Sequence, residues 1–432
     1  MDRELPDQPR AALELHAIIG TTYANIAAYD SADIHLRRAG DLAHAEYGDA
    51  HAATLAARRN LGELRWHQGR LEEAESILRD ALGTARSALG ADHDQTLLIA
   101  VSLAVVLKNR NDLEEAERLF REVLAVRRRA HGAKSAETLQ VLNNLGTLTQ
   151  ARGDFEEAER LLREAYEGET TAWGADHPQT LVTEANLALL LSARGRLEEA
   201  ERLMRHNLDL CVRVMGVDHP ATLSTRNSLG HLLQQRGHLE EAEAMLREAL
   251  AGRRKILGEE HPHTLLTMSN LSACLQAEGK LDEAERIVRR SVDILRRVQG
   301  PDTPSTLIAM NNLGTLLNQQ SRFEHAERIQ REVTEAAERT FGTNHWTPAV
   351  FHLNHADTLT TLKRFDESEA ELLRSVATLR KTLGEAHVHT RTAMKTLIRL
   401  YEQSARPDEA RRWRETLASA ERPAASSQRA HD

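Results

Sequence analysis

Asn143–Ala165 reads NNLGTLTQARGDFEEAERLLREA, and Asn311–Val333 reads NNLGTLLNQQSRFEHAERIQREV. The two stretches start 168 residues apart, which is four times 42. Working outward, the same interval recurs along the chain. A Thr-Leu pair falls at Thr54, Thr96, Thr138, Thr180, Thr222, Thr264 and Thr306, each 42 residues after the last. Glycine recurs in phase from Gly48 through Gly132 and Gly216 to Gly384. An acidic patch of the form LEEAE recurs from Leu71 to Phe365 and survives as PDEAR at Pro407. Self-similarity at a fixed period of this length is the signature of a repeat array, in which each unit buries its apolar face only against its neighbours.

Each unit reads as two helices. In Ala175–Gly216, a loop (ADHP) precedes helix A, with Pro178 in its first turn. Gly195 ends helix A. Helix B runs from Leu197 to Met215 and stops at Gly216, which the pattern predicts as a left-handed cap. Leu197, Ala200, Met204, Leu208, Cys211 and Met215 recur at spacings of three and four, giving one apolar stripe. Glutamates open helix B and arginine closes it, matching the helix dipole.

The phase extends to ten units, starting near residues 6, 48, 90, 132, 174, 216, 258, 300, 342 and 384. The reading is therefore a single all-α solenoid over 6–420, with a short N-terminal extension at 1–5 and a disordered tail at 421–432. The first unit is degenerate.

Composition agrees. Of the 432 residues 28% are charged and only 3% aromatic, as expected of a long helical protein. The net charge of −9 gives no whole-chain reason to bind nucleic acid or anionic membranes. The opening residues lack a basic stretch followed by an apolar core, and no window approaches 18 uninterrupted apolar residues. The expectation is a soluble, cytoplasmic protein. Cys211 and Cys274 match no metal-ligand spacing and read as buried small hydrophobes. No metal, cofactor or catalytic constellation is expected.

The recurring NLG…G.LEEAE.L.R.AL pattern resembles the tetratricopeptide repeat. The 42-residue period, with LG.DHP.TL before helix A, is similar to the long form found in kinesin light chains and many bacterial proteins. The resemblance implies a right-handed superhelix with helix A lining a concave groove. It also implies small residues, such as Gly146 and Ala158, where helix A crosses helix B. The start, LPDQPRAALELHAIIG, resembles the entry to the repeat region of bacterial serine/threonine kinases, although the chain has no Gly-rich phosphate loop and no HRD or DFG triplet.

Asparagine is a poor helix former, yet helix A carries it in columns. By the resemblance, one groove column contains Asn60, Asn144, Asn186, Asn270, Asn312 and Asn354. The column just before it contains Asn143, Asn227 and Asn311. Another face adds Gln150, Gln234 and Asn318. An amide both donates and accepts, so a ladder of them matches the backbone of an extended peptide. The alternative is that these amides bond an adjacent repeat and hold the pitch of the solenoid. Adjacent asparagines such as Asn143 and Asn144 cannot both point into one packed neighbour. The groove columns are mostly neutral, which disfavours a clamp for a C-terminal carboxylate.

Seven histidines recur in phase in the loop before helix A: His51, His93, His177, His219, His261, His345 and His387. One per repeat is too sparse for a metal site, so they read as loop packing and caps. Arginine runs at the ends of the B helices read as dipole partners on a solvated face. Trp66 is a candidate groove residue and Trp346 a loop residue; either suits a partner anchor.

The function these features point to is a non-catalytic scaffold that binds an extended peptide or partner helix of another protein. The second reading is a regulatory module acting on a bacterial signalling enzyme such as a serine/threonine kinase. Apolar positions of the first unit also leave room for self-association through the end repeats.

Overall fold

The computed structural model describes residues 8–26, 28–343 and 345–421. The expected extension at 1–5 and residues 422–432 of the expected tail lie outside the described residues. Twenty α-helices and no β-strand occur among the described residues. They divide into two compact units, Met1–His261 and Pro262–Asp432.

The A helices of the first unit are α1 (Pro9–Asn25), α3 (Ala52–His67), α5 (Asp94–Asn109), α7 (Ala136–Ala151), α9 (Pro178–Ala193) and α11 (Pro220–Gln235). Its B helices are α2 (Tyr29–Tyr47), α4 (Leu71–Ala88), α6 (Leu113–His131), α8 (Phe155–Trp173), α10 (Leu197–Met215) and α12 (Leu239–Leu257). In the second unit the A helices are α13 (Pro262–Ala277), α15 (Pro304–Gln319), α17 (Trp346–Thr361) and α19 (Val388–Gln403). Its B helices are α14 (Leu281–Val298), α16 (Phe323–Phe341), α18 (Phe365–Leu383) and α20 (Pro407–Ala420).

The recurring sequence marks each have a local cause. A helix leaves its first backbone N–H groups without partners. His177 sits in extended conformation at the cap of α9, and its Nδ1 accepts the Gln179 N–H at 3.2 Å. His51, His93, His219, His345 and His387 cap their helices in the same way. At Ser135 the hydroxyl serves instead, accepting from the Thr138 N–H at 3.2 Å. The Thr-Leu mark and the in-phase glycine are one device. Thr54, Thr96 and Thr222 donate to the carbonyls of Gly48, Gly90 and Gly216, at 2.7 to 2.8 Å. Thr180 departs from this, its buried hydroxyl having no partner.

The glycine that ends helix B is not the left-handed cap expected. Gly216 has φ 90° and ψ 165°, and Gly132 has φ 87° and ψ 167°. That region is open essentially to glycine alone, because a Cβ would clash with the flanking peptide. The turn between A and B also has positive φ, yet Asn111, Ser321, Lys363 and Ala405 occupy it at φ 68°, 60°, 61° and 57°. Those values fall in the left-handed region that side chains tolerate at modest cost.

Within a pair, a small residue lets helix A cross helix B. A Cβ at Gly146 would lie 2.7 Å from Leu162 Cγ. On the B helices, Ala116, Ala158, Ala200, Ala242, Ala284 and Ala326 are all fully buried. The buried stripe of α10 includes Ala200, Met204 and Cys211, but also Asn207 and Leu210, while Leu208 is only half-buried.

Between repeats, the third acidic residue of the LEEAE patch is more than a dipole partner. Glu159 accepts from Arg163 of its own helix at 2.8 Å and from Arg196 in the next turn at 2.8 Å, with Arg194 also paired to it. Glu285 holds Arg322, and Glu369 holds Arg406, in the same manner. A second row joins residues 36 apart on successive B helices, as in Arg79–Glu115, Arg205–Glu241 and Arg296–Glu332. Each exposed pair contributes ~0.2–1 kcal/mol, and the row sums along the array.

Successive A helices touch: α3 with α5, α5 with α7 and α7 with α9 in the first unit, and α15 with α17 and α17 with α19 in the second. Successive B helices do not come as close among the described residues. Each unit therefore has its A helices on the tighter, inner side.

Candidate peptide-binding face

On the inner side, helix positions four and three residues apart share one open face. On α9 these are Val182, Asn186 and Leu189; on α15 they are Ile308, Asn312 and Thr315. The expected amides divide into two kinds. Asn143 is 4% exposed, and its Oδ1 accepts from Asn186 Nδ2 of the next repeat at 2.9 Å. Asn311 is buried likewise and accepts from Asn354 Nδ2 at 3.0 Å. Asn227 is buried as well. Asn143 and Asn311 are thus turned against the next A helix rather than into the open face.

Asn144 and Asn312, one residue on, are half-exposed. Their side-chain amides have no hydrogen-bond partner among the described residues. Asn60 accepts from its neighbour Arg59 at 3.1 Å. Gln150 is half-buried, as is Gln234, whose buried Oε1 lacks a partner. Asn318 donates from Nδ2 to Thr358, while its Oδ1 has no partner. Further bonds tie neighbouring A helices together across this face: Ser102 to Glu63 at 2.6 Å, Lys108 Nζ to Thr147 at 3.1 Å and Ser192 to Gln235 at 3.1 Å. Burial pushes the Lys108 ammonium below its ordinary range.

An apolar column was not foreseen. Val182, Leu266 and Ile308 occupy the position four residues before the asparagine column and are 46, 50 and 47% exposed. Their signal was available in the sequence, since the three are in phase. Trp66 is half-buried against the core of the first unit rather than open. Trp346 is the first residue of α17, not a loop residue, and its exposed ring stacks on His389 at 6.1 Å. Both cysteines are buried and neither is in a disulfide. Among the described residues no helix is long and apolar enough to cross a membrane, and no group of His, Cys, Asp and Glu side chains is arranged to hold a metal ion.

Paired helices in phase, glycine-locked junctions and an inner face of amides define an α-solenoid repeat protein. The profile of the tetratricopeptide repeat matches residues 54–129, 95–168, 176–255 and 263–339, more than half of the sequence. The chain belongs to the tetratricopeptide repeat family, whose members serve as protein-interaction scaffolds. A search of curated proteins finds no match.

Solved structures share the architecture. The apo form of the quorum sensor NprR from B. thuringiensis is 13% identical over 85% of this chain and 99% of that one, with a TM-score of 0.59. A Rap protein complexed with competence and sporulation factor is 13% identical over 86% of this chain and 98% of that one, with a TM-score of 0.57. A putative kinesin light chain of Podosopora anserina with nearly identical repeats is 25% identical over 48% of this chain and 98% of that one, at a TM-score of 0.41.

Proposed function

We propose that the chain is a non-catalytic scaffold whose inner A-helix face holds an extended peptide or a helix of a partner protein. The observation that carries this reading is the pairing of fixed and free amides. Asn143 and Asn311 are spent on the neighbouring repeat, which leaves Asn144 and Asn312 beside them, half-exposed and without a partner. Free amides on a rigid helix match a peptide backbone at little entropic cost. The flanking Val182, Leu266 and Ile308 supply apolar contact for side chains.

The test is capture from native lysate by the intact chain and by an Asn144→Ala/Asn312→Ala form. Loss of a partner by the double variant, with its circular dichroism unchanged, supports the reading. Equal capture by both forms sends binding to the B-helix side or the loops and overturns it. The Rap protein was solved with competence and sporulation factor, which favours a second reading, a sensor module for a signalling enzyme. An effect of the chain on the activity of a kinase encoded beside it is the observation that would support that reading.

A further inference from the structure

The inner face of the first unit carries one charge that its surroundings do not answer. From α3 to α11 the lysine and arginine side chains on that face are Arg59 and Lys108. Arg59 lies 3.5 Å from Glu63 of its own helix and donates to Asn60. Glu63 in turn accepts from Ser102 of α5. Lys108, in the last turn of α5, has no carboxylate partner among the described residues. Its Nζ donates to the Thr147 hydroxyl of α7 at 3.1 Å, and Thr147 donates its own hydrogen to the Asn144 carbonyl at 2.9 Å. An ammonium has three N–H donors, so a single bond to a neutral oxygen leaves most of its capacity unused.

Neither the fold nor the helix needs a cation here. The in-phase residues of the same unit are Trp66, Gln150, Ser192 and Gln234, all neutral. A neutral pair, Ser192 with Gln235, ties neighbouring A helices just as Lys108 ties α5 to α7. The dipole of α5 favours a cation in its last turn, but not one laid across to the next helix on a half-buried face. Burial pushes the Lys108 ammonium down, and no neighbouring carboxylate draws it back. Holding a partly desolvated charge on a neutral partner costs stability that an amide at this position would not.

The groups around Lys108 show what fits. Asn144, one turn before Thr147 on α7, has a free side-chain amide. Leu189 of α9 is in phase with Thr147 and 43% exposed. We infer that Lys108 sets the specificity of the inner face: it selects an extended segment bearing an aspartate or glutamate side chain, whose carboxylate pairs with the ammonium while the adjoining backbone meets Asn144 and an apolar side chain meets Leu189. This rests on the scaffold reading above. Packed helices stand ~8–10 Å apart and an extended chain advances ~3.3 Å per residue, so the gap between α5 and α7 lies about four residues from α9. Side chains on one side of an extended chain recur at every second residue, so an acid and an apolar residue four apart face the same way. A lone ammonium on a face that continues past it on both sides suits a side chain within a segment rather than a chain end.

The test is selection, on the intact chain, of random peptides acetylated at one end and amidated at the other, so that side chains hold the only carboxylates. Retained peptides are expected to be enriched in Asp or Glu at one position, with an apolar residue about four away. Lys108→Gln takes the residue found at Gln150 and Gln234; it is expected to retain peptides and lose that enrichment, while Lys108→Arg keeps it. In one retained peptide, exchanging the acid for its amide is expected to weaken binding to the native chain about tenfold and to leave binding to Lys108→Gln unchanged. Retained peptides without acidic enrichment, or with the same enrichment on Lys108→Gln, overturn this inference and leave the scaffold reading standing. Retention only of peptides with a free C-terminus assigns the ammonium to a chain end and overturns it too. No retention by any form, each folded by circular dichroism, overturns both.

Discussion

Glu169 gives the sharpest test of how the core is built. It lies on α8, fully buried, and neither carboxylate oxygen has a hydrogen-bond partner. Of the in-phase residues, Cys211, Leu295 and Ala337 are apolar and buried and Arg127 and Arg253 are buried arginines, so the position is interior in these units whatever its residue type. Burial pushes the carboxyl from 4.5 up to about 7, with the nearby Thr183 hydroxyl offsetting part of the effect. The neutral acid fits the site and the ionised form does not. Its stabilising share is fully present below 4.5 and is lost as pH rises to about 7. A shift of that size penalises the ionised form by up to ~3 kcal/mol. Glu169→Gln keeps the shape and cannot ionise, and its buried amide adds only an offset independent of pH. Urea unfolding followed by far-UV circular dichroism at pH ~5 and ~8 measures the gap between the two proteins. The gap is expected to move in favour of the glutamine form by about 2 kcal/mol between those conditions. All other titrating groups are common to both proteins and cancel in the difference. A gap that stays constant with pH would refute the argument.

Three further outcomes follow from the packing. Gly146→Val forces atoms into Leu162 and is expected to cost ~2 kcal/mol or more in urea unfolding, whereas Gly146→Ala should cost less, since Ala104, Ala188 and Ala356 fill the same position elsewhere. His177→Ala removes a helix cap and should lower stability by ~1 kcal/mol, with His177→Ser recovering most of it because Ser135 caps α7 through its hydroxyl. Asn186→Ala strands the buried Asn143 amide and should cost ~1–3 kcal/mol, while Asn144→Ala should leave the melting curve within error.

The repeat was legible because its markers are local. Apolar spacing, caps and glycine breaks act within one unit, and each shows in a short window. Helix B of Leu197–Met215 falls within its expected bounds for that reason. The caps were legible as a class, since seven histidines in one loop position have few other uses. The roles of the asparagines were not. Comparison in steps of 42 pairs Asn143 with Ala185, but the structure pairs it with Asn186, one residue further on. A contact at the period plus one is invisible to in-phase columns. The buried Glu169, His352 and His355 were hidden for a different reason. As residue types they read as surface charges, and only their phase with Leu295, Met310 and Leu313 marks them as interior. The conformation of the helix-B glycines also escaped, because positive φ alone does not tell the left-handed region from the extended one seen at Gly216.

The reach of the inter-repeat bonds has a consequence for how such a chain changes over generations. The amide pairs span 43 residues, the B-helix ion pairs span 36, and the turn arginines reach back 35 or 37. Every one of these is a fixed offset within a 42-residue tiling. Duplicating or excising one whole tile leaves each offset intact and brings like residues to like partners. A single residue added to a loop changes each offset that spans it, so these contacts persist only where the loop bulges to take it up. The array is therefore free to lengthen or shorten by recombination between tiles, and tiles whose buried polar side chains have partners of their own, such as Asn207 with Glu184 and His355 with Glu371, are the least interchangeable.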